Sequence, residues 1–136
     1  MSGLVREFLF VYGTLKRGSD NAMRRLLAMR ARFVSDGWFN GRLYQVSWYP
    51  AAMPSELPQD RVYGEVYELT DPGILARLDD YEECGERHAV PWEYRREICP
   101  VSPAGGAVIR AWVYVYNRDV SNLCRIASGD FAVQSA

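Results

Sequence analysis

The sequence predicts an α+β domain built on a largely antiparallel, curled sheet. Three observations lead there. At least five runs have the residue types and alternation of strands, only two short segments carry helical periodicity, and most links are of hairpin length. With 49% hydrophobic and 24% charged residues over 136 positions, there is apolar side chain for one core, so a single domain over residues 1–136 is expected.

Glu7 to Tyr12 is nearly continuous apolar and aromatic, the pattern of a buried strand, and Gly13 stops it. Gly13-Thr14-Leu15-Lys16-Arg17-Gly18 is then a glycine-bounded loop. Asp20 or Asn21 can cap the helix that follows, where Met23, Leu26, Leu27 and Arg30 recur at helical spacing. Arg32 to Val46 is β-branched and aromatic, punctuated by Gly37 and Gly41, which predicts a bent strand or a hairpin. Trp48 to Pro54 contains two prolines and is expected to be loop.

Arg61 to Leu69 alternates as a strand does, with Val62, Gly64, Val66 and Glu68 on one side. Thr70-Asp71-Pro72 ends it and opens a second helix, proline being suited to the first turn. Glu93 to Val101 and Val108 to Asn117 predict a hairpin across Ser102-Pro103-Ala104-Gly105-Gly106. Asp119 to Ala136 is weakly patterned and is expected to wrap the domain.

Charge and composition exclude several classes of function. The formal net charge is −1, with no dense basic run, so nucleic acid is not an expected partner. The apolar run Phe8 to Tyr12 is too short for a signal-peptide core or a membrane span, so a cytoplasmic protein with no membrane partner is expected. Cys84, Cys99 and Cys124 are odd in number and form no Cys-x-x-Cys pair, which argues for reduced thiols and against a zinc site. His88, the single histidine, would have to carry any Ser-His-Asp or Cys-His system alone.

The second helix carries the most informative residue. At helical spacing Ile74, Leu78, Glu82 and Leu75 share a stripe about 100° wide, while Arg77, Asp79, Asp80 and Glu83 fall outside it. Glu82 is thus the one inward-facing acid this pattern supplies. Burial raises a carboxyl's pKa toward the range that proton transfer needs. Periodicity by itself leans toward a structural residue, in solvent past a helix frayed at Tyr81 or paired with an arginine such as Arg95 or Arg96.

The loop after the first strand could expose backbone N–H groups to a carboxylate or phosphate, or simply turn the chain. Gly18 is followed by Ser19 and Asp20 rather than Lys and Ser/Thr, so it is not a nucleotide phosphate loop.

Taken together, Val11-Tyr12-Gly13-Thr14-Leu15, Gly64-Glu65-Val66-Tyr67 and Leu78-Asp79-Asp80-Tyr81-Glu82 resemble the γ-glutamylcyclotransferase-like family, in its AIG2-like or γ-glutamylamine cyclotransferase branch. The likeness extends through Tyr94-Arg95-Arg96, Ala111 to Tyr116 and Ser128-Gly129-Asp130, in the family's order from about Phe8 to Phe131. One departure is Glu83, where many members have glycine.

The resemblance implies a small mixed β-barrel with short flanking helices. It implies Glu82 as catalytic acid/base, with Tyr12, Gly13, Thr14 and Leu15 holding the glutamyl moiety and Tyr114 or Tyr116 lining the cavity. The implied reaction cyclises a γ-glutamyl amine or γ-glutamyl amino acid to 5-oxoproline, releasing the amine, with no metal, nucleotide cofactor or covalent intermediate. Two other readings accompany it: a non-catalytic module that binds a small metabolite on the same fold, and an interaction protein whose 13% aromatic residues are core and interface. The leaving amine and the oligomeric state have no signal in the sequence.

Overall fold

A computed structural model describes residues 6–13, 15–18, 21–71, 73–82 and 92–131. Strand β1 (Phe8–Val11) lies inside the sheet, antiparallel to β4 (Arg61–Leu69) on one edge and parallel to β6 (Ile109–Tyr116) on the other. Its side chains alternate between two buried clusters, Phe10 with Tyr12 in one and Leu9 with Val11 in the other. Burial on both faces is why this stretch reads as unbroken apolar sequence.

Helix α1 (Ala22–Arg30) is capped by Asn21, whose side chain accepts a 2.8 Å hydrogen bond from the Arg24 amide; Asp20, the other cap candidate, lies outside the described residues. β2 (Ala31–Gln45) is a single strand, bent at an irregularity between Phe33 and Ser35, so of the two expectations the bent strand is the one that forms. Its first part pairs with β4 and its far end with β3 (Pro50–Pro54) and with the two-residue β7 (Cys124–Arg125). β3 corrects the expectation of a loop there. Its prolines stand at its two ends and it is an edge strand, where a missing N–H donor is tolerated.

Helix α2 (Ile74–Tyr81) follows β4, and β5 (Tyr94–Pro103) with β6 forms the expected antiparallel hairpin. The strand order β3-β2-β4-β1-β6-β5 closes on itself where Gly37 and Trp38 of β2 pair with Pro103 and Ser102 of β5. The result is a closed barrel of β2, β4, β1, β6 and β5, with two short helices on its flank. One face of these strands packs Val62, Val66, Val101, Val113 and Val115 into the barrel interior. The other packs Leu9, Tyr67 and Leu69 against Leu27 of α1 and Leu75 and Leu78 of α2.

Two carboxylates clamp the outside of this frame. Asp60, with a side chain 7% exposed, accepts from Arg42 (2.8 Å), Ser55 (2.7 Å) and Arg125 (2.9 Å), tying β2 to β7. Glu68 accepts from Arg6 and Arg32. These hydrogen bonds hold the Asp60 and Glu68 carboxyls down to about 2, from ordinary values of 3.8 and 4.5. A depressed carboxyl stabilises the fold above its unfolded-state pKa and loses that contribution as pH falls through its folded-state value. Urea melts are therefore expected to show stability falling between pH 4.5 and about 2. Asp60→Asn should be less stable than wild type at neutral pH, with the gap closing as pH falls toward about 2. A gap independent of pH would refute the linkage.

Candidate active site

Where β1 ends, its exit turn meets the lead-in to β3, the start of β5 and the last turn of α2 around a cavity of about 230 Å³. Phe10, Val11, Tyr12, Gly13 and Leu15 form one wall. Trp48, Tyr49 and Pro50 form another, and Tyr81, Glu82, Glu93, Tyr94 and Tyr114 complete it.

The β1 exit is a tight turn, in which the Lys16 amide donates to the Gly13 carbonyl at 3.1 Å. Gly13 is required by close approach, since a Cβ there would lie 2.9 Å from Cγ of Pro50. Leu15 is buried in the core, and Thr14 lies outside the described residues. Both cations of the loop are engaged outside this wall. Lys16 donates to the Phe131 carbonyl (2.8 Å), and Arg17 pairs with buried Glu65 while stacking 3.9 Å over the Phe33 ring.

Regular helix stops at Tyr81, yet the Glu82 amide still donates to the Leu78 carbonyl at 2.9 Å, so the last turn carries through Glu82. Its half-buried side chain lines the cavity while Ile74, Leu75 and Leu78 are buried behind it. Asp79 departs from the outward position expected of it. It accepts two bonds from Arg96 (2.7 and 3.0 Å) and one from the Tyr114 hydroxyl (2.8 Å), because the β5–β6 hairpin covers a second flank of α2. Arg96 also stacks over Trp112, with 4.2 Å between guanidinium carbon and ring centroid. Arg95, the other cation considered for Glu82, bonds Glu97 (2.7 Å) and Asn117 (2.9 Å). Asp79→Ala is expected to lower unfolding free energy by about 1–3 kcal/mol, read by urea denaturation, because it strips charge-assisted bonds from a half-buried site. A loss below about 0.5 kcal/mol would put this anchor in the class of surface pairs that contribute little.

Four tyrosine hydroxyls around the cavity donate to fixed acceptors. Tyr12 donates to the Tyr114 carbonyl and accepts from the Ala52 amide (3.3 Å), and Tyr94 donates to the Pro50 carbonyl (2.7 Å). Tyr114 donates to Asp79, and Tyr49 to Glu93 (2.6 Å). Burial pushes all four phenols well above their ordinary 10. Second to burial for Tyr12, and lesser for Tyr94 and Tyr114, comes the negative charge of Glu82. These groups therefore stay protonated, with their protons already placed.

Tyr114 is on the cavity wall, whereas Tyr116 is not among the lining residues and packs edge-on against Tyr94, with 5.5 Å between ring centroids. Glu93 corrects the expectation of a single inward acid: it sits just before β5, outside any helical pattern, where periodicity has nothing to say. Trp48, Tyr49 and Pro50 line the cavity from the segment read as loop. Among the described residues no group of three His, Cys, Asp or Glu side chains could hold a metal. His88 and Cys84 fall outside that set; Cys99 is buried, its thiol pushed up by burial, and Cys124 is exposed. No helix among the described residues is long and apolar enough to cross a membrane.

The closed small barrel has a flanking helix that delivers one carboxylate into a tyrosine-walled cavity. The sequence profile of the family described as gamma-glutamyl cyclotransferase, AIG2-like, matches residues 9–133, and the chain belongs to that family. It is 36% identical over 125 residues to the gamma-glutamylcyclotransferase family protein YtfP of Escherichia coli strain K12, covering 90% of this chain and 94% of that one. It is 33% identical over 119 residues to a protein of Niallia circulans named gamma-L-glutamyl-butirosin B gamma-glutamyl cyclotransferase, covering 82% and 67% of the two chains. The fold is similar to the crystal structure of an aig2-like protein from Mus musculus, with a TM-score of 0.68 and 27% identity, covering 88% of this chain and 82% of that one.

Proposed function

We propose that this chain is a cytoplasmic, single-domain γ-glutamylcyclotransferase that converts a γ-glutamyl amine or γ-glutamyl amino acid to 5-oxoproline and the free amine. In this reading the substrate's α-nitrogen attacks its own γ-carbonyl, closing a five-membered lactam, and the bond from that carbon to the departing nitrogen breaks. The attacking ammonium must lose a proton and the departing amine must gain one. Glu82 takes the first and returns it to the second, as one positioned carboxyl can.

The observation that carries this reading is the placement of Glu82 in a cavity where four phenols have their protons committed elsewhere. They shape the site, and in this reading the Glu82 carboxyl moves the proton. Tyr12, Gly13, Thr14 and Leu15 hold the glutamyl end, with Tyr114 beside Glu82 and Tyr116 supporting the wall from behind. Because nucleophile and electrophile are one molecule, holding it folded supplies much of the rate advantage available to intramolecular reactions. The Niallia circulans relative, whose name gives γ-L-glutamyl-butirosin B, supports a γ-glutamyl compound as the substrate class.

The test is direct. Purified protein incubated with a panel of γ-glutamyl amines and dipeptides should release 5-oxoproline and amine in equal amounts. Tight calorimetric binding with no product over hours would instead mark a non-catalytic module on the same fold.

A further inference from the structure

The cavity wall holds a second set of polar groups that the proton transfer leaves unused. Glu93 receives the Tyr49 hydroxyl at 2.6 Å, and its own carbonyl accepts the Asn117 amide at 2.7 Å, so both its side chain and its main chain are fixed. Tyr49 stands edge-on to Trp48, ring centroids 5.1 Å apart, and Trp48 is 70% exposed. A lone exposed tryptophan is ordinary on a protein surface. This one lines the cavity, so its exposure marks the mouth. The reacting atoms must reach Glu82, which leaves the departing group to run outward along Trp48, Tyr49 and Glu93. A carboxylate held by a tyrosine hydroxyl in a mouth lined by two aromatic side chains attracts an ammonium by charge, and a ring face open to it adds the pull of its quadrupole. Among the described residues the wall carries two carboxylates and no lysine or arginine, and the one cation whose charge reaches Tyr49, Arg118, is not part of the lining; the balance at the wall disfavours a departing group with its own carboxylate.

Resting on the cyclotransferase reading above, we infer that Glu93, Tyr49 and Trp48 form a leaving-group subsite that selects γ-glutamyl compounds whose departing amine carries a second, cationic nitrogen, such as γ-glutamyl diamines. The test compares γ-glutamyl-diaminobutane, its neutral isostere γ-glutamyl-butylamine and the anionic γ-glutamyl-glycine, in wild type, Glu93→Gln and Trp48→Ala. Wild type is expected to prefer the diamine over the butylamine in kcat/KM by about tenfold, with glycine poorest, and added salt should shrink that preference. In Glu93→Gln the ratio should collapse toward one, chiefly through KM for the diamine, and Trp48→Ala should reduce it in part. Equal losses on diamine and butylamine in Glu93→Gln would place Glu93 on the glutamyl end and overturn the subsite, as would no preference in wild type. If wild type turns over none of the three, the cyclotransferase reading fails. The subsite is then judged from calorimetric Kd values for the same compounds, where equal affinity for diamine and butylamine overturns it.

Discussion

Replacing Glu82 with glutamine is expected to lower the kcat for 5-oxoproline release by about 10²- to 10⁴-fold, the range associated with a positioned general acid/base. The amide is nearly isosteric and can keep neutral hydrogen bonds, so the cavity should stay formed. KM should move far less than kcat, and the thermal midpoint should remain close to that of wild type. What the substitution removes is the ability to carry a proton between two nitrogens. The committed hydroxyls of Tyr12, Tyr49, Tyr94 and Tyr114 offer no substitute carrier. Retained turnover would refute the role of Glu82, and a parallel Glu83→Gln variant tests the neighbouring acid.

Gly64→Ala is expected to produce a large loss of stability. A Cβ at this position would lie 2.2 Å from the Val11 carbonyl oxygen and 2.8 Å from the Phe10 ring. The obstacle is backbone in a strand held on both edges, so it cannot rotate aside as a side chain would. Relief requires β1 to shift, and Val11 is part of the cavity wall. A cost of about 3 kcal/mol is anticipated, at the upper end for overpacking a core, with a fall of roughly 10 °C in Tm. Activity should fall with stability. A variant within about 0.5 kcal/mol of wild type by urea denaturation would show that β1 and β4 separate more easily than their packing implies.

How far the sequence discloses this arrangement depends on the range of the interactions involved. Helical phase on α2 groups Leu75, Leu78 and Glu82, and the structure has the two leucines buried with Glu82 in the cavity just beyond them. The alternation of Arg61 to Leu69 and the glycine-rich link before Val108 report local geometry, and β4 and the β5–β6 hairpin follow from them. Asp79 was invisible because a wheel drawn for one helix assumes a single covered face, whereas α2 also meets Arg96 and Tyr114 across the hairpin. β3 was hidden by its terminal prolines, which punctuate a sequence without preventing an edge pairing to β2. Closure of the barrel rests on Gly37 and Trp38 meeting residues far along the chain, a register no local pattern encodes. Glu93 opens a stretch read as strand and Trp48 lies in a segment read as loop, and the two come to one cavity only once β3 and β5 are in place.

The tyrosine hydroxyls have an evolutionary corollary. Each bond joins separate parts of the fold: the β1 exit to β6, β5 to β3, β6 to α2, and the β3 lead-in to the residue before β5. Losing any one would undo a tie between those parts as well as reshape the wall, so divergence at these positions carries a folding penalty along with any change in chemistry. Trp48 is held by a ring contact at the rim and 70% exposed, so it can vary at little cost to the barrel. New substrates would therefore be acquired at the mouth while the floor is inherited intact.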